Sequence, residues 1–203
     1  MVRTYQSAVR SERAQENRAR VVAAATESFC ELGWVATTMA DVGRRAGLTR
    51  QTVYQQFSGK LPLLDACIGT ALSEGSPRPV RELADYRAMG DGDFDQRLAA
   101  GARWLRDAHR RSATIQDVLD QAAVTDPEAA ELLAAREQRR WDEVRWAMSL
   151  VLQATPPDAL VDSVWWAASR RGWLSLTRQR GWSEQAWEDW FVAQVRTDIE
   201  RLT

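Results

Sequence analysis

Residues 38–57 read TMADVGRRAGLTRQTVYQQF, and the punctuation of this stretch decides the fold. Thr38 and Asp41 have capping-box spacing, with Asp where Glu or Gln is usual, so a helix starts at Thr38. It ends at Ala46, and Gly47 makes the turn. Thr49 is the N-cap of the next helix, with Leu48 and Val53 at the spacing of a hydrophobic staple. Two short helices, 38–46 and 49–57, joined at a glycine form a helix-turn-helix, whose second helix enters a DNA major groove. Val53 and Phe57 are the expected buried face of that second helix. Arg50, Gln51, Thr52, Gln55 and Gln56 are its exposed face. Arg can bond guanine in bidentate fashion, Gln can do so with adenine, and Thr can touch a thymine methyl. Thr38, Tyr54 and Lys60 stand at helix edges, where they are expected to hold phosphates. Spacing alone also fits a helical hairpin with an ordinary solvated face.

The charge distribution favours the polyanion reading. Net charge is −1, yet residues 1–60 hold nine basic side chains (Arg3, Arg10, Arg13, Arg18, Arg20, Arg44, Arg45, Arg50, Lys60) against five acidic ones. The remainder is net acidic, so a basic head sits on an acidic body. The N-terminal stretch is polar and Arg-rich, so no secretory signal is expected, and no apolar run is long enough for a membrane helix. Cys30 and Cys67 are isolated and read as buried thiols of a cytoplasmic protein. A single His and the lack of a nucleophile elbow or phosphate loop argue against catalysis, and neither a metal nor a cofactor is expected.

Outward from the motif the pattern is all-α. A first helix is expected from about residue 11 to 32, with Val22, Ala25, Phe29 and Leu32 facing inward and Gly33 closing it. A fourth should run from Lys60 to about Ser73, with Pro62 in its first turn. Residues 74–93, rich in Gly, Pro and Asp, read as a mobile linker. Further helices are expected at 95–110, 114–124, 127–153, 157–179 and 183–202. Their starts are marked by Asp126-Pro127-Glu128, by Thr155-Pro156, and by Ser183 with Trp182 and Trp187 at staple spacing. The expected division is a helix-turn-helix domain over 1–60 and a helical body over 61–203, about nine helices in all.

The stretch FCELGWVATTMADVGRRAGLTRQTVYQQF (29–57), followed by SGKLPLL (58–64), resembles the N-terminal domain of TetR-family repressors at nearly every fixed position. The resemblance implies a recognition helix at 49–57 with Thr49, Arg50, Gln51, Thr52, Gln55 and Gln56 toward the groove. It also implies phosphate contacts from Thr38, Tyr54 and Lys60. Two positions depart: Gly43 stands where the family usually has Ala, and Leu61-Pro62 replaces an acidic residue and its follower.

For the body, the run RGWSEQAWEDW (180–190) resembles the start of the last helix in a TetR-like subgroup, whose last two helices pair with their two-fold mates. Trp187, Phe191, Val195 and Leu202 share one stripe of that helix, and Leu160, Val164 and Leu174 share one on the helix before. Both stripes are expected to form a homodimer interface, although monomer core would also explain them. The sequence has ten Trp residues. Trp104, Trp141 and Trp165 are candidates to line a cavity for an apolar or aromatic effector, with Arg103, His109 and Arg136 as polar anchors. The expected function is a transcriptional repressor that binds pseudo-palindromic double-stranded DNA and is released by that effector. A helix-turn-helix protein without an effector is the alternative.

Overall fold

The computed structural model describes the backbone of residues 2–202 and side chains from residue 12 onward. Arg3 and Arg10 of the basic head therefore lie outside the described side chains. Ten α-helices are described: α1 (Val2–Ala36), α2 (Met39–Ala46), α3 (Arg50–Gln56), α4 (Lys60–Leu72), α5 (Ala84–Arg87), α6 (Phe94–Ala123), α7 (Pro127–Leu152), α8 (Asp158–Ala167), α9 (Arg170–Leu174) and α10 (Glu184–Leu202). No strand occurs among the described residues, and none of their helices is long and apolar enough to cross a membrane.

The first helix starts well before residue 11 and loses helical geometry at Gly33, whose φ of 75° suits glycine. The next turn folds Trp34 back onto Phe29, ring stacked on ring at 6.1 Å. That corrects the expectation for Leu32. At its level the buried space belongs to Trp34, and Leu32 is half exposed at 51%. Cys30 is exposed too, because one residue past Phe29 turns about 100° away from the core face. Cys67 is buried, and burial pushes its thiol up to about 11.

Val21, Ala25 and Phe29 of α1 pack with Val42 of α2, Val53 of α3 and Leu63, Leu64, Cys67 and Ile68 of α4. The same cluster takes in Ile115, Val118, Leu119 and Ala122 from α6. A cut at residue 60 therefore passes through a shared core. A second cluster fills the body, built from Leu98 and Ala102 of α6, Met148 and Val151 of α7, Leu160 and Val164 of α8, and Trp187, Phe191 and Val195 of α10.

Several boundaries differ from those expected, each for a local reason. Residues 74–93 are not a free linker: they hold two 3₁₀ turns and α5, and Tyr86 and Met89 are each 2% exposed in the body core. Helices 95–110 and 114–124 are one helix. The Ser112 hydroxyl donates to the Ala108 carbonyl at 2.6 Å, so the polar run around it bonds along the helix rather than breaking it. Helix 157–179 is two: Ser169 accepts from the Gly172 N–H and starts α9, which ends in a π turn at Ser175–Gln179. Pro157, not Thr155, precedes the first residue of α8, without a side-chain cap. Asp126 and Ser183 cap α7 and α10 as expected. Trp182, however, meets Trp190 edge-on at 6.4 Å rather than pairing with Trp187, because Trp187 is fully buried beneath them.

Candidate nucleic-acid interface

The turn between α2 and α3 is closed by backbone. Gly47 has φ 64° and ψ 35°, its N–H donates to the Arg44 carbonyl, and the Leu48 N–H donates to that of Gly43 at 2.8 Å. Gly43 sits at the closest approach of the two helices. A Cβ there would lie 3.1 Å from the Leu48 carbonyl oxygen and 3.3 Å from the Val53 side chain, which accounts for glycine in a helix interior. The Thr38 hydroxyl accepts from the Asp41 N–H at 3.2 Å, but the Asp41 carboxylate accepts from the Thr38 hydroxyl and from Arg44. The reciprocal arm of the capping box to the Thr38 backbone is absent, since Asp is one methylene shorter than Glu.

Helix α3 is held from behind and capped in front. Val53 and Phe57 are buried, and Arg18 lies over the Phe57 ring at 4.2 Å while donating to the Gln56 carbonyl. The Thr49 hydroxyl accepts from the Thr52 N–H at 3.1 Å and bonds the Thr52 hydroxyl at 2.8 Å. Arg50, Gln51, Tyr54 and Gln55 are exposed, while Thr52 and Gln56 are half-buried. The Arg50 guanidinium lies 5.3 Å from the Tyr54 ring centre.

Most of the other arginines are engaged internally. Arg20 donates to the Ala46 carbonyl at 2.6 Å, closing α2, and Arg45 pairs with Glu27 and Glu31 on α1. Among the described residues Arg50 forms no ion pair, so it is the long cation of this face left over for a ligand. Lys60 is more committed than its expected role implied. Its Nζ donates to the carbonyls of Trp34 at 2.6 Å and Thr37 at 3.1 Å and lies 4.1 Å from the Trp34 ring centre. Burial lowers its pKa.

The description "bacterial regulatory proteins, tetR family" matches residues 21–67, which begin on the inner face of α1 and end in α4. The transcriptional regulator TtgR of Pseudomonas putida is 40% identical over 57 residues, 28% of this chain and 27% of its own length. SrpR, also of Pseudomonas putida, has the same identity and coverage. The chain thus matches about a quarter of the length of these curated relatives. Over the whole chain the fold is that of a solved TetR-family regulator from Mesorhizobium loti, with a TM-score of 0.71 and 14% identity, covering 93% of this chain and 98% of that one. Residues 21–67 thus match the N-terminal domain of the TetR family, and the chain shares the fold of a solved regulator of that family.

The body holds a cavity of about 360 Å³ between α6, α7, α8 and α10. Of the six residues proposed from sequence, Trp104, His109 and Arg136 line it. Arg103 does not: it points outward from α6 and is exposed. Trp141 sits on the α8 side of α7, where its Nε1 donates to Asp162 at 2.7 Å. Trp165 faces a separate concavity, with Arg140 stacked on its ring at 4.5 Å. His109 lies in mid-helix, because α6 is unbroken, and not at a helix end.

The stripes assigned to a dimer are mostly monomer core. Leu160, Trp187 and Val195 are fully buried, and Val164 and Phe191 nearly so. Helices α8 and α10 turn these side chains toward α6 and toward each other, with Ser163 donating to Asp198 at 2.6 Å across the pair. Leu174 is half-buried against the same core, and Leu202 is exposed. The outward face carries instead Trp166, 74% exposed and not singled out by sequence periodicity, together with half-buried Trp190, which flanks the stripe of the last helix.

Proposed function

We propose that this chain is a sequence-specific, DNA-binding transcriptional repressor of the TetR family. It acts in the cytoplasm as a homodimer on pseudo-palindromic double-stranded operator DNA, and a small molecule bound in the body cavity releases it. The observation that carries the DNA reading is the division of labour on α3. Val53 and Phe57 anchor the helix, and the flanking arginines are spent on the scaffold. That leaves Arg50, Gln51, Tyr54 and Gln55 presented to solvent on a rigid base.

Thr49, Arg50, Gln51, Thr52, Gln55 and Gln56 take the groove side, and Thr38, Tyr54 and Lys60 the phosphates. Two half-sites require two copies, with recognition helices about one DNA turn, ~34 Å, apart. The exposed Trp166 with Trp190 is the face best suited to the second copy, since a large indole left in water is an interface signature.

The test is a footprint. Purified protein is incubated with genomic fragments, protected sites are sequenced, and affinity for a recovered palindrome is compared with scrambled DNA at fixed salt. A preference of about 10³-fold or more is the expected result. Equal affinity for both overturns the proposal.

A further inference from the structure

Two residues that line the body cavity each carry a buried polar atom without a hydrogen-bond partner in the chain. His109 is 6% exposed, its ring stacked on Trp173 at 5.5 Å and met edge-on by Trp187 at 5.3 Å. Its Nε2 is buried and has no hydrogen-bond partner. Trp104, held by the Tyr86 ring at 4.9 Å, has a buried Nε1 in the same condition. Both residues line the cavity, whose remaining wall is mostly aliphatic and aromatic. Buried polar groups in native proteins are nearly always satisfied, so orphans on residues that line a cavity mark where a ligand can complete the bonding.

The two atoms ask for different things. A backbone hydrogen bond with Ala168 engages the imidazole, and burial holds the ring neutral, with its pKa pushed down to about 3. A neutral ring that donates through one nitrogen has only a lone pair on the other, so Nε2 accepts. An indole N–H can only donate. Of the charged side chains that line the cavity, Arg139 is exposed and forms no ion pair among the described residues, and the others are engaged. Arg136 pairs with Asp65, Arg140 with Glu137, Arg170 with Asp120 and Glu137, and Glu143 with Arg81 and the Tyr86 hydroxyl. A carboxylate ligand would set its lone pairs against that of Nε2, and the one unpaired lining cation, Arg139, stands in solvent at the margin rather than beside that nitrogen.

We propose that the cavity takes an uncharged, largely aromatic or alicyclic molecule whose hydroxyl donates to His109 Nε2 and whose oxygen lone pair accepts from Trp104 Nε1–H. This rests on the ligand-responsive reading above and adds the ligand's chemistry to it.

The experiment titrates the full-length protein at pH 7 with three probes of one shape: 2-naphthol, naphthalene and 2-naphthoate, followed by calorimetry and tryptophan quenching. The expected result is that 2-naphthol binds at least tenfold tighter than either of the others. His109→Phe, which keeps a ring in place, brings 2-naphthol and naphthalene to within about twofold. Trp104→Phe narrows the gap several-fold, and it carries the test with the wild-type ratios should His109→Phe not fold. Equal binding of naphthol and naphthalene, tightest binding of naphthoate, or no saturable binding up to the probes' solubility each overturn the proposal. Release of an operator fragment is scored separately. Naphthol that binds with the stated preference yet leaves DNA bound supports the ligand chemistry and sinks the released-repressor reading instead.

Discussion

The Nζ of Lys60 caps the end of α1 through the carbonyls of Trp34 and Thr37, so its removal has a structural consequence besides any phosphate contact. Lys60→Ala should cost about 1–3 kcal/mol of stability, since bonds from a charged donor are lost. It should also weaken DNA binding by a similar factor on every sequence, with the slope of log K against log salt reduced by about 1. A changed base preference would count against that role. Arg50 behaves oppositely. It has no carboxylate to leave behind, so Arg50→Ala should leave thermal unfolding unchanged and cost about 1–3 kcal/mol on the operator with relaxed preference at one base pair per half-site. Equal losses on operator and scrambled DNA in a binding titration would exclude base reading by Arg50.

His109 makes stability pH-dependent in a window where few other side chains titrate. Its folded pKa, held at about 3 by burial and by the nearby Arg140 and Arg170, lies below the ordinary value of 6.5. The unfolded chain therefore takes up a proton that the folded chain refuses, and stability is lost as pH falls below 6.5. Urea unfolding should show a loss of about 2 kcal/mol between pH 7.5 and pH 5 from this one group. In His109→Phe that portion of the profile should be flat; an unchanged slope would mean that the ring charges freely in the fold.

At the scale of elements, short helices with capping residues at both ends were legible from sequence, and long-range packing was not. Thr49, Asp126 and Ser183 announce α3, α7 and α10 because a cap is a local bond between near neighbours. The continuity of α6 past Ser112 and the restart at Ser169 depend on whether a hydroxyl bonds backward or forward, which composition does not encode. Periodicity found the apolar stripes of α8 and α10 but not which neighbour covers them. The pairing of α9 with α6 and α7 was invisible for the same reason. Arg170, 7% exposed, joins Asp120 at 2.8 Å and also bonds Glu137. Arg170→Met should cost about 1–3 kcal/mol by leaving the buried Asp120 carboxylate only the exposed Arg171, 2.9 Å away. Asp120→Asn in the same background should recover part of it in thermal melts, and no recovery would mean that the loss is one of packing alone.

For the whole molecule, the buried stripe and the exposed indoles separate folding from assembly. Phe191→Glu places a charge in the body core and should abolish cooperative unfolding along with every downstream property. Trp166→Glu touches a side chain already 74% exposed. On the proposed homodimer it should leave helical content and melting largely intact while sedimentation shifts from a dimer of 22.9 kDa chains to monomer and operator affinity falls with it. A Trp166→Glu protein that sediments and binds like wild type would move the interface elsewhere.

The unbroken α6 has a mechanical meaning. Thirty residues at the α-helical rise make a rod about 45 Å long. Trp104 lies on its first half and His109 at its middle, both beside the cavity. On its second half Ile115, Leu119 and Ala122 sit in the core shared with α1 and α4, and Gln121 accepts from the Trp34 N–H at 3.3 Å. A rod pivoted near Ser112 is a lever with arms of about 27 Å and about 17 Å. A tilt of about 5° at the cavity end moves the far end by about 1.5 Å, with no kink to absorb it. Had the chain broken at residues 111–113, a push on one half would have been lost at the joint.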